Sequence, residues 1–408
     1  MIRLSLLMIA VAMMSCGGGS KKSGVVDPQK MQLSFKDTVY ARAVEPEIGA
    51  ARLDTLLQLY TDLVSWEQRK QCLRDGLLTA LELYPLPEKT PIRPVYGGHA
   101  EFERYTVDNV AFECVPGVWV TGNLYRPVHT AGASPAILLA HGHGRQEPLE
   151  NCPRFSESTQ NIAASLASMG AVVYAYDMFA YGESAYHAGV KAHRTSLAQT
   201  VQTWSTIRAV DFLLSLKETD AQRIGMTGAS GGGTQTFLAS AIDERIAVPV
   251  PVVQVSSFFP GGCPCESGRP LHVQCDVLSN NAEIAALAAP RAQLVISDGK
   301  DWTRTVDSVE YPYLKKVYGF YGHADHVENA HFADEGHDYG YNKRCAAYHF
   351  FAQRLGLNLQ AITAENGAID ESGCTLLTAE QLAVFPSKQL PEGALHTLED
   401  IYKAVCSY

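Results

Sequence analysis

The stretch Gly228-Ala229-Ser230-Gly231-Gly232 constrains this chain more than any other. It stands between a strand-like run, Arg223 to Thr227, and a helix-like run with apolar residues at Phe237, Leu238 and Ala241. A serine at the apex of a sharp strand-to-helix turn is held in a strained backbone conformation. Side chains two positions to either side would collide with the turn, hence the pattern G-x-S-x-G. The turn lifts the hydroxyl clear of a sheet and aims the next backbone N–H, that of Gly231, at a carbonyl oxygen. With this much glycine and serine the bare pattern is weak. Its place between a strand and a helix gives it weight.

Three further features follow in a fixed order. Ala136 to Ala140 is a short apolar run ending in His141-Gly142-His143-Gly144. In the α/β-hydrolase plan the loop after the third strand supplies a second oxyanion N–H, here assigned to His143 beside that of Gly231. Ala292 to Ile296 is a buried-strand candidate leading into Ser297-Asp298-Gly299-Lys300-Asp301-Trp302, where a triad acid belongs. Glu335-Gly336-His337-Asp338-Tyr339 offers a histidine in a glycine-containing loop. Ser, Asp, His is the chain order of α/β-hydrolases and differs from those of chymotrypsin and subtilisin.

The chain resembles the acetyl xylan esterase-like α/β-hydrolases of bacteria, relatives of dienelactone hydrolases. The resemblance is carried by His141-Gly-His-Gly144, Gly228 to Thr236, Gly261-Gly-Cys-Pro-Cys-Glu266, Asp301-Trp-Thr303 and Gly336-His-Asp-Tyr339, and it covers roughly residues 60–357. Pro116 to Pro127 fits the strand pair that opens the catalytic domain of that family. The resemblance implies an α/β-hydrolase fold with Ser230 as nucleophile, His337 as base and an acid in the Asp301 stretch. Asp298, Asp325 and Glu266 remain open as alternative acids, Glu266 because some carbohydrate esterases draw theirs from the loop after the preceding strand. Each would accept the Nδ1–H of His337 and stabilise the imidazolium.

Residues 1–15 read as a leader, with Arg3 as the positive flank and an apolar run from Leu4 to Met14 too short to span a bilayer. Met13-Met-Ser-Cys16 resembles a lipobox, and residues 16–30 follow as lipidated Cys16 and a Gly-rich tether. This predicts a bacterial envelope protein held by acyl chains. The remainder is long enough for one large α/β domain: a helical extension over 31–98, a catalytic domain over 99–357 and a covering appendage over 358–408. A net charge of −10 and a pI near 5.7 exclude a nucleic-acid role, which needs a basic surface. No repeats or heptads mark an oligomer, so the oligomeric state stays open.

Ser65 and Gln68 form a capping-box signature predicting a helix to about Tyr84, with an earlier helix from about Ala50 to Tyr60. Phe102 to Arg126 alternates as antiparallel strands do. Strands and helices then alternate, which predicts a mostly parallel, doubly wound sheet. Helices are expected at Thr159–Met169, Ser196–Leu216 and Lys343–Leu355, with Thr378 capping a short one and Leu398 to Val405 forming another.

The remaining chemistry-bearing residues have plain readings. Cys263-Pro-Cys265 lacks a second Cys or His pair at zinc spacing, so a disulfide or buried thiols are expected there and no metal is assigned. His323, His326 and His331 read as surface histidines, because no H-E-x-x-H accompanies them. Asp177, Arg208 and Asp211 are expected to position loops through ion pairs. The whole predicts a cofactor-independent serine esterase that removes an acyl group, acetyl first, from polysaccharides or oligosaccharides. Glucuronate and feruloyl esters, or a peptidase of the prolyl or acylaminoacyl type, are the alternatives.

Overall fold

The computed structural model describes residues 39–129, 132–147 and 149–406. The leader, Cys16 and the tether lie outside these residues. Among the described residues nine strands form one sheet in the order β1-β2-β3-β5-β4-β6-β7-β8-β9. β1 (Val95–Glu101), β2 (Tyr105–Val115) and β3 (Val118–Pro127) run antiparallel, and β3 pairs antiparallel with β5 (Val172–Tyr176). β4 (Ser134–Ala140), β5, β6 (Thr219–Ala229), β7 (Val248–Val252), β8 (Gln293–Asp298) and β9 (Val327–Phe332) pair in parallel. This is the expected α/β-hydrolase fold.

The central strands are apolar at successive positions because both sheet faces are covered. On β4, Leu138 joins one core with Met226 and Tyr174, while Ile137 and Leu139 join the opposite core with Val173 and Val250. Register sets where the strand ends emerge. Ala140 pairs with Gly228, so the loops carrying His141 and Ser230 leave the sheet side by side. Asp298 pairs with Phe332, so the loops carrying Asp301 and His337 do the same. All four leave from the carboxyl edge, where ligands bind in open α/β sheets.

Several elements depart from expectation. The helix expected to start at Ser65 spans Leu63–Ala80, capped by Asp62, whose carboxylate accepts the Ser65 N–H at 2.8 Å. Ser65 is therefore the returning member of the capping box, its hydroxyl accepting the Asp62 N–H. The helix packs against the helices Gly231–Ile242 and Tyr311–Phe320, and together with the helix Pro46–Leu59 it buries Leu53, Leu56, Trp66, Leu73 and Leu77. Each such side chain contributes about 1.5–3 kcal/mol of burial. A disulfide, Cys72–Cys275, and the buried Arg69–Glu283 pair at 2.9 Å fasten it further. β1 starts at Val95, within the stretch read as helical extension. Thr378 and Gln381 do exchange capping bonds. They cap only a turn, because the carbonyls of Gln381, Leu382 and Ala383 accept instead from the side chains of Asn109, Asn123 and Arg154.

Candidate active site

Ser230 sits between β6 and the helix Gly231–Ile242 at φ 57°, ψ −122°, a conformation an L-residue holds only under constraint. The constraint is visible in the flanking glycines. A Cβ on Gly228 would lie 2.3 Å from the Ala140 carbonyl oxygen, and one on Gly232 only 2.1 Å from the same atom. Both glycines let the elbow press against the end of β4. Gly231 opens the helix, so its N–H belongs to the first turn and has no acceptor within the helix.

The loop after β8 brings an acid to the loop after β9. His337 Nδ1 lies 2.6 Å from Asp301 Oδ2, and Asp301 Oδ1 accepts from the Thr303 N–H at 2.5 Å and from its hydroxyl at 2.6 Å. Burial pushes the Asp301 carboxyl up, but the hydrogen bonds from His337 and Thr303 outweigh it and hold the group below the ordinary carboxylate range. The Trp302 ring packs on His337 at 4.3 Å between centroids and on Phe259 at the same distance.

Two side chains unforeseen in the sequence hold the histidine loop. Lys343, wholly buried, donates to the Gly336 carbonyl at 2.5 Å and to Asp338 at 2.8 Å, and pairs with Asp298 at 3.2 Å. The Tyr339 hydroxyl meets the Thr227 hydroxyl at 2.8 Å, fastening the His337 loop three residues before Ser230. Ser230, His337, His143, Ser156 and Tyr339 accordingly line one cavity of about 160 Å³. On the far side of His337 an open groove is lined by Lys300, Asp301, Trp302 and Arg304. A cavity of about 340 Å³ elsewhere, between Phe155, Glu183 and Phe385, has no Ser, Cys or His in its lining.

The other candidate acids lie elsewhere. Glu266 accepts from the Gly262 and Cys263 N–H groups at 3.1 and 3.2 Å and from Thr234, which makes it a cap for its own turn. Asp298 accepts the Lys300 N–H and pairs with Lys343. Asp325 neighbours His323 and His326. His326 Nδ1 meets the Pro290 carbonyl, and His331 meets the Ser297 hydroxyl at 2.8 Å. His141 is buried and its Nε2 accepts the Met178 N–H at 3.1 Å, so it braces the loop after β4. Desolvation depresses its pKa to about 4.

Asp177 pairs with Arg154 at 2.7 Å beneath the same loops, and Arg208 donates to the Thr90 carbonyl while Asp211 pairs with Lys89 and Arg245, contacts expected of loop-positioning residues. Buried free thiols, one of the two states expected there, occupy the turn Cys263-Pro-Cys265. His143 and His193 converge on it, and the four ligand atoms lie within 4.8 Å of one another. His193 lies 50 residues and Cys265 122 residues from His143 along the chain, so no local spacing could have revealed the cluster.

The family model for acetyl xylan esterase matches residues 96–260. Methylesterase BT1017 is 38% identical in sequence, superposes with a TM-score of 0.81, and the match covers 89% of this chain and 79% of that one. The glucuronoyl esterase from Solibacter usitatus shares the fold at 18% identity and a TM-score of 0.52, over 72% of this chain and 94% of that one. YtaP of Bacillus subtilis is 27% identical over 195 residues, 45% of this chain and 62% of YtaP, so the chain spans less than two thirds of that curated relative. The strand order, the elbow at Ser230 and the extent of the BT1017 match agree: the chain belongs to the acetyl xylan esterase-like family of α/β-hydrolases.

Proposed function

We propose that this protein is a serine carboxylic-ester hydrolase acting on esterified carbohydrate, with Ser230 as nucleophile, His337 as base and Asp301 as the acid that orients it. The observation that carries the reading is the 2.6 Å contact between His337 Nδ1 and Asp301 beside a serine held at positive φ. Asp301 accepts the Nδ1–H, which leaves His337 Nε2 to take the Ser230 proton as Oγ attacks the ester carbonyl. The N–H groups of His143 and Gly231 hold the oxyanion, the alcohol leaves with the proton from His337, and water then hydrolyses the acyl-enzyme. Asp298, Asp325 and Glu266 have no part in this relay. The esterase names of the relatives favour this over a peptidase.

Acetyl is the first choice of acyl group, supported by the family model. A second reading, a methyl ester of a uronic acid, is favoured by the similarity to a methylesterase over most of the chain and by Lys300 and Arg304 in the groove beside His337. In the first the sugar is the alcohol; in the second it becomes the acyl group on Ser230. Release of acetate or of methanol from native esterified glycans, with Ser230→Ala as blank, tests both.

The same proposal places the protein on the bacterial envelope through a lipid on Cys16, on the strength of the Met13-Met-Ser-Cys16 motif. Among the described residues no helix is long and apolar enough to cross a membrane.

A further inference from the structure

Four side chains from three separate segments meet behind the cavity. His143 comes from the loop after β4, His193 from the 3-10 turn Val190–Arg194, and Cys263 and Cys265 flank the start of the short helix Pro264–Ser267. His193, Cys263 and Cys265 are buried, and both cysteines are free thiols although the chain forms a disulfide elsewhere. His143 Nε2 lies 3.1 Å from His193 Nε2 and 3.1 Å from Cys265 Sγ.

Apart from two weak thiol S–H donors, the cluster presents more acceptor lone pairs than hydrogens to fill them. His193 Nδ1 meets the Phe179 carbonyl at 2.8 Å and must donate to it, so His193 Nε2 carries a lone pair directed inward. His143 Nε2 carries at most one hydrogen, which can serve His193 or Cys265 but not both. Two imidazole nitrogens and two sulfurs facing one point are the complement of a soft or borderline cation.

We propose that His143, His193, Cys263 and Cys265 bind one zinc ion in a closed tetrahedral site that ties the loop after β4 to the turn at Cys263-Pro-Cys265. With Zn–N near 2.0–2.1 Å and Zn–S near 2.3 Å, tetrahedral ligand atoms stand roughly 3.3–3.8 Å apart, within the span over which these four cluster. Small outward shifts of the 3.1 Å contacts make room. Binding converts two thiols to thiolates and releases two protons to water, with no change of oxidation state.

The surroundings suit such a site. The His193–Phe179 bond is the outer contact that fixes a ligating imidazole. The chelating turn is pinned by Gln202 on the Cys265 carbonyl at 2.7 Å and by Glu266 on the Gly262 and Cys263 N–H groups. Four protein ligands leave no open position, so the ion holds structure and does not activate water. It holds a particular part: a Cβ on Gly231 would lie 2.8 Å from His143 Cε1, so the chelated ring rests on the elbow. Losing the ion frees the His143 backbone and should lower kcat more than it raises KM. That kinetic consequence rests on the ester-hydrolase reading; metal binding does not.

The test uses the full-length protein from zinc-supplemented growth. Elemental analysis should give one zinc per chain, released when a mercurial titrates the thiols. Cobalt exchange should give the visible bands and thiolate charge-transfer absorption of a tetrahedral thiolate site. Cys263→Ser with Cys265→Ser, and separately His193→Asn, should each lose the metal while near-native circular dichroism shows the fold retained. If these variants fail to fold, the zinc and cobalt measurements on the unaltered protein decide. No bound metal, a Cys263–Cys265 disulfide by mass spectrometry, or zinc retained after the substitutions overturns the proposal. Metal loss in a protein with no esterase activity at all would leave the site standing and sink only the kinetic consequence.

Discussion

Asp301→Asn should cost about 10³–10⁴ in turnover, and the structure shows why a near-isosteric change is so damaging. Asp301 Oδ1 is committed to two donors from Thr303, the backbone N–H and the hydroxyl. The hydroxyl can rotate to become an acceptor, but the backbone N–H cannot. An asparagine must therefore keep its carbonyl oxygen toward Thr303 and turn its NH₂ toward His337 Nδ1. The imidazole then accepts at Nδ1 and carries its hydrogen on Nε2, the nitrogen that must take the serine proton. The wrong tautomer removes general-base catalysis, a loss near 10⁴ for the same change in a serine protease, or about 4–6 kcal/mol of barrier. Initial rates on p-nitrophenyl acetate would give kcat and KM for wild type, Asp301→Asn and Glu266→Gln. KM should change little for Asp301→Asn, because the bound ester does not touch this carboxylate. A turnover within tenfold of wild type, with Glu266→Gln crippled instead, would refute the assignment.

Other outcomes follow from the same contacts. Arg154 is wholly buried between Asp177 and Glu183, at 2.7 and 2.8 Å. Arg154→Met leaves two buried carboxylates uncompensated and should cost about 3–5 kcal/mol by urea unfolding, and a loss below about 1 kcal/mol would contradict the ion-pair reading. Because the native Asp301 carboxyl titrates below its unfolded value near 4, its contribution to stability is complete above about pH 4 and is lost as pH falls through the native value. The unfolding free-energy gap between wild type and Asp301→Asn should thus narrow as pH falls below about 4, and a gap unchanged between about pH 5 and 2 contradicts this. Cys16→Ala should move the protein from membranes to the soluble fraction on cell fractionation, and continued membrane association would remove the lipid-anchor proposal.

Much of the fold was legible because it is local. The elbow needs glycines at two fixed offsets from Ser230, and the carbonyl of Ala140 that excludes side chains there explains the spacing after the fact. The strand run before Asp301 and the glycine-flanked His337 named the two loops that parallel pairing of β8 and β9 brings together. What stayed hidden depends on contacts across the chain. Ser65 and Asp62 both fit a cap, and only the folded backbone chooses between them. Thr378 carries a sound helix-start signature, overridden because the following carbonyls are taken by Asn109, Asn123 and Arg154 from β2, β3 and the loop after β4. Nothing in the local sequence around Lys343, at the start of its expected helix, signals the three carboxylates and the carbonyl that surround it. The His143–His193–Cys263–Cys265 cluster has no periodicity at all, since register and loop packing alone bring its members together.

The most direct test of the central claim is product analysis on native esterified glycans, comparing wild type with Ser230→Ala. Acetylated xylan and methyl-esterified polyuronate would be incubated with each, and acetate and methanol measured. The account predicts release of one of these products by wild type, no release above blank by Ser230→Ala, and matching circular dichroism for the two proteins. Release by Ser230→Ala at even a tenth of the wild-type rate would contradict Ser230 as nucleophile, and no release of either product by wild type would contradict the carbohydrate-ester reading itself.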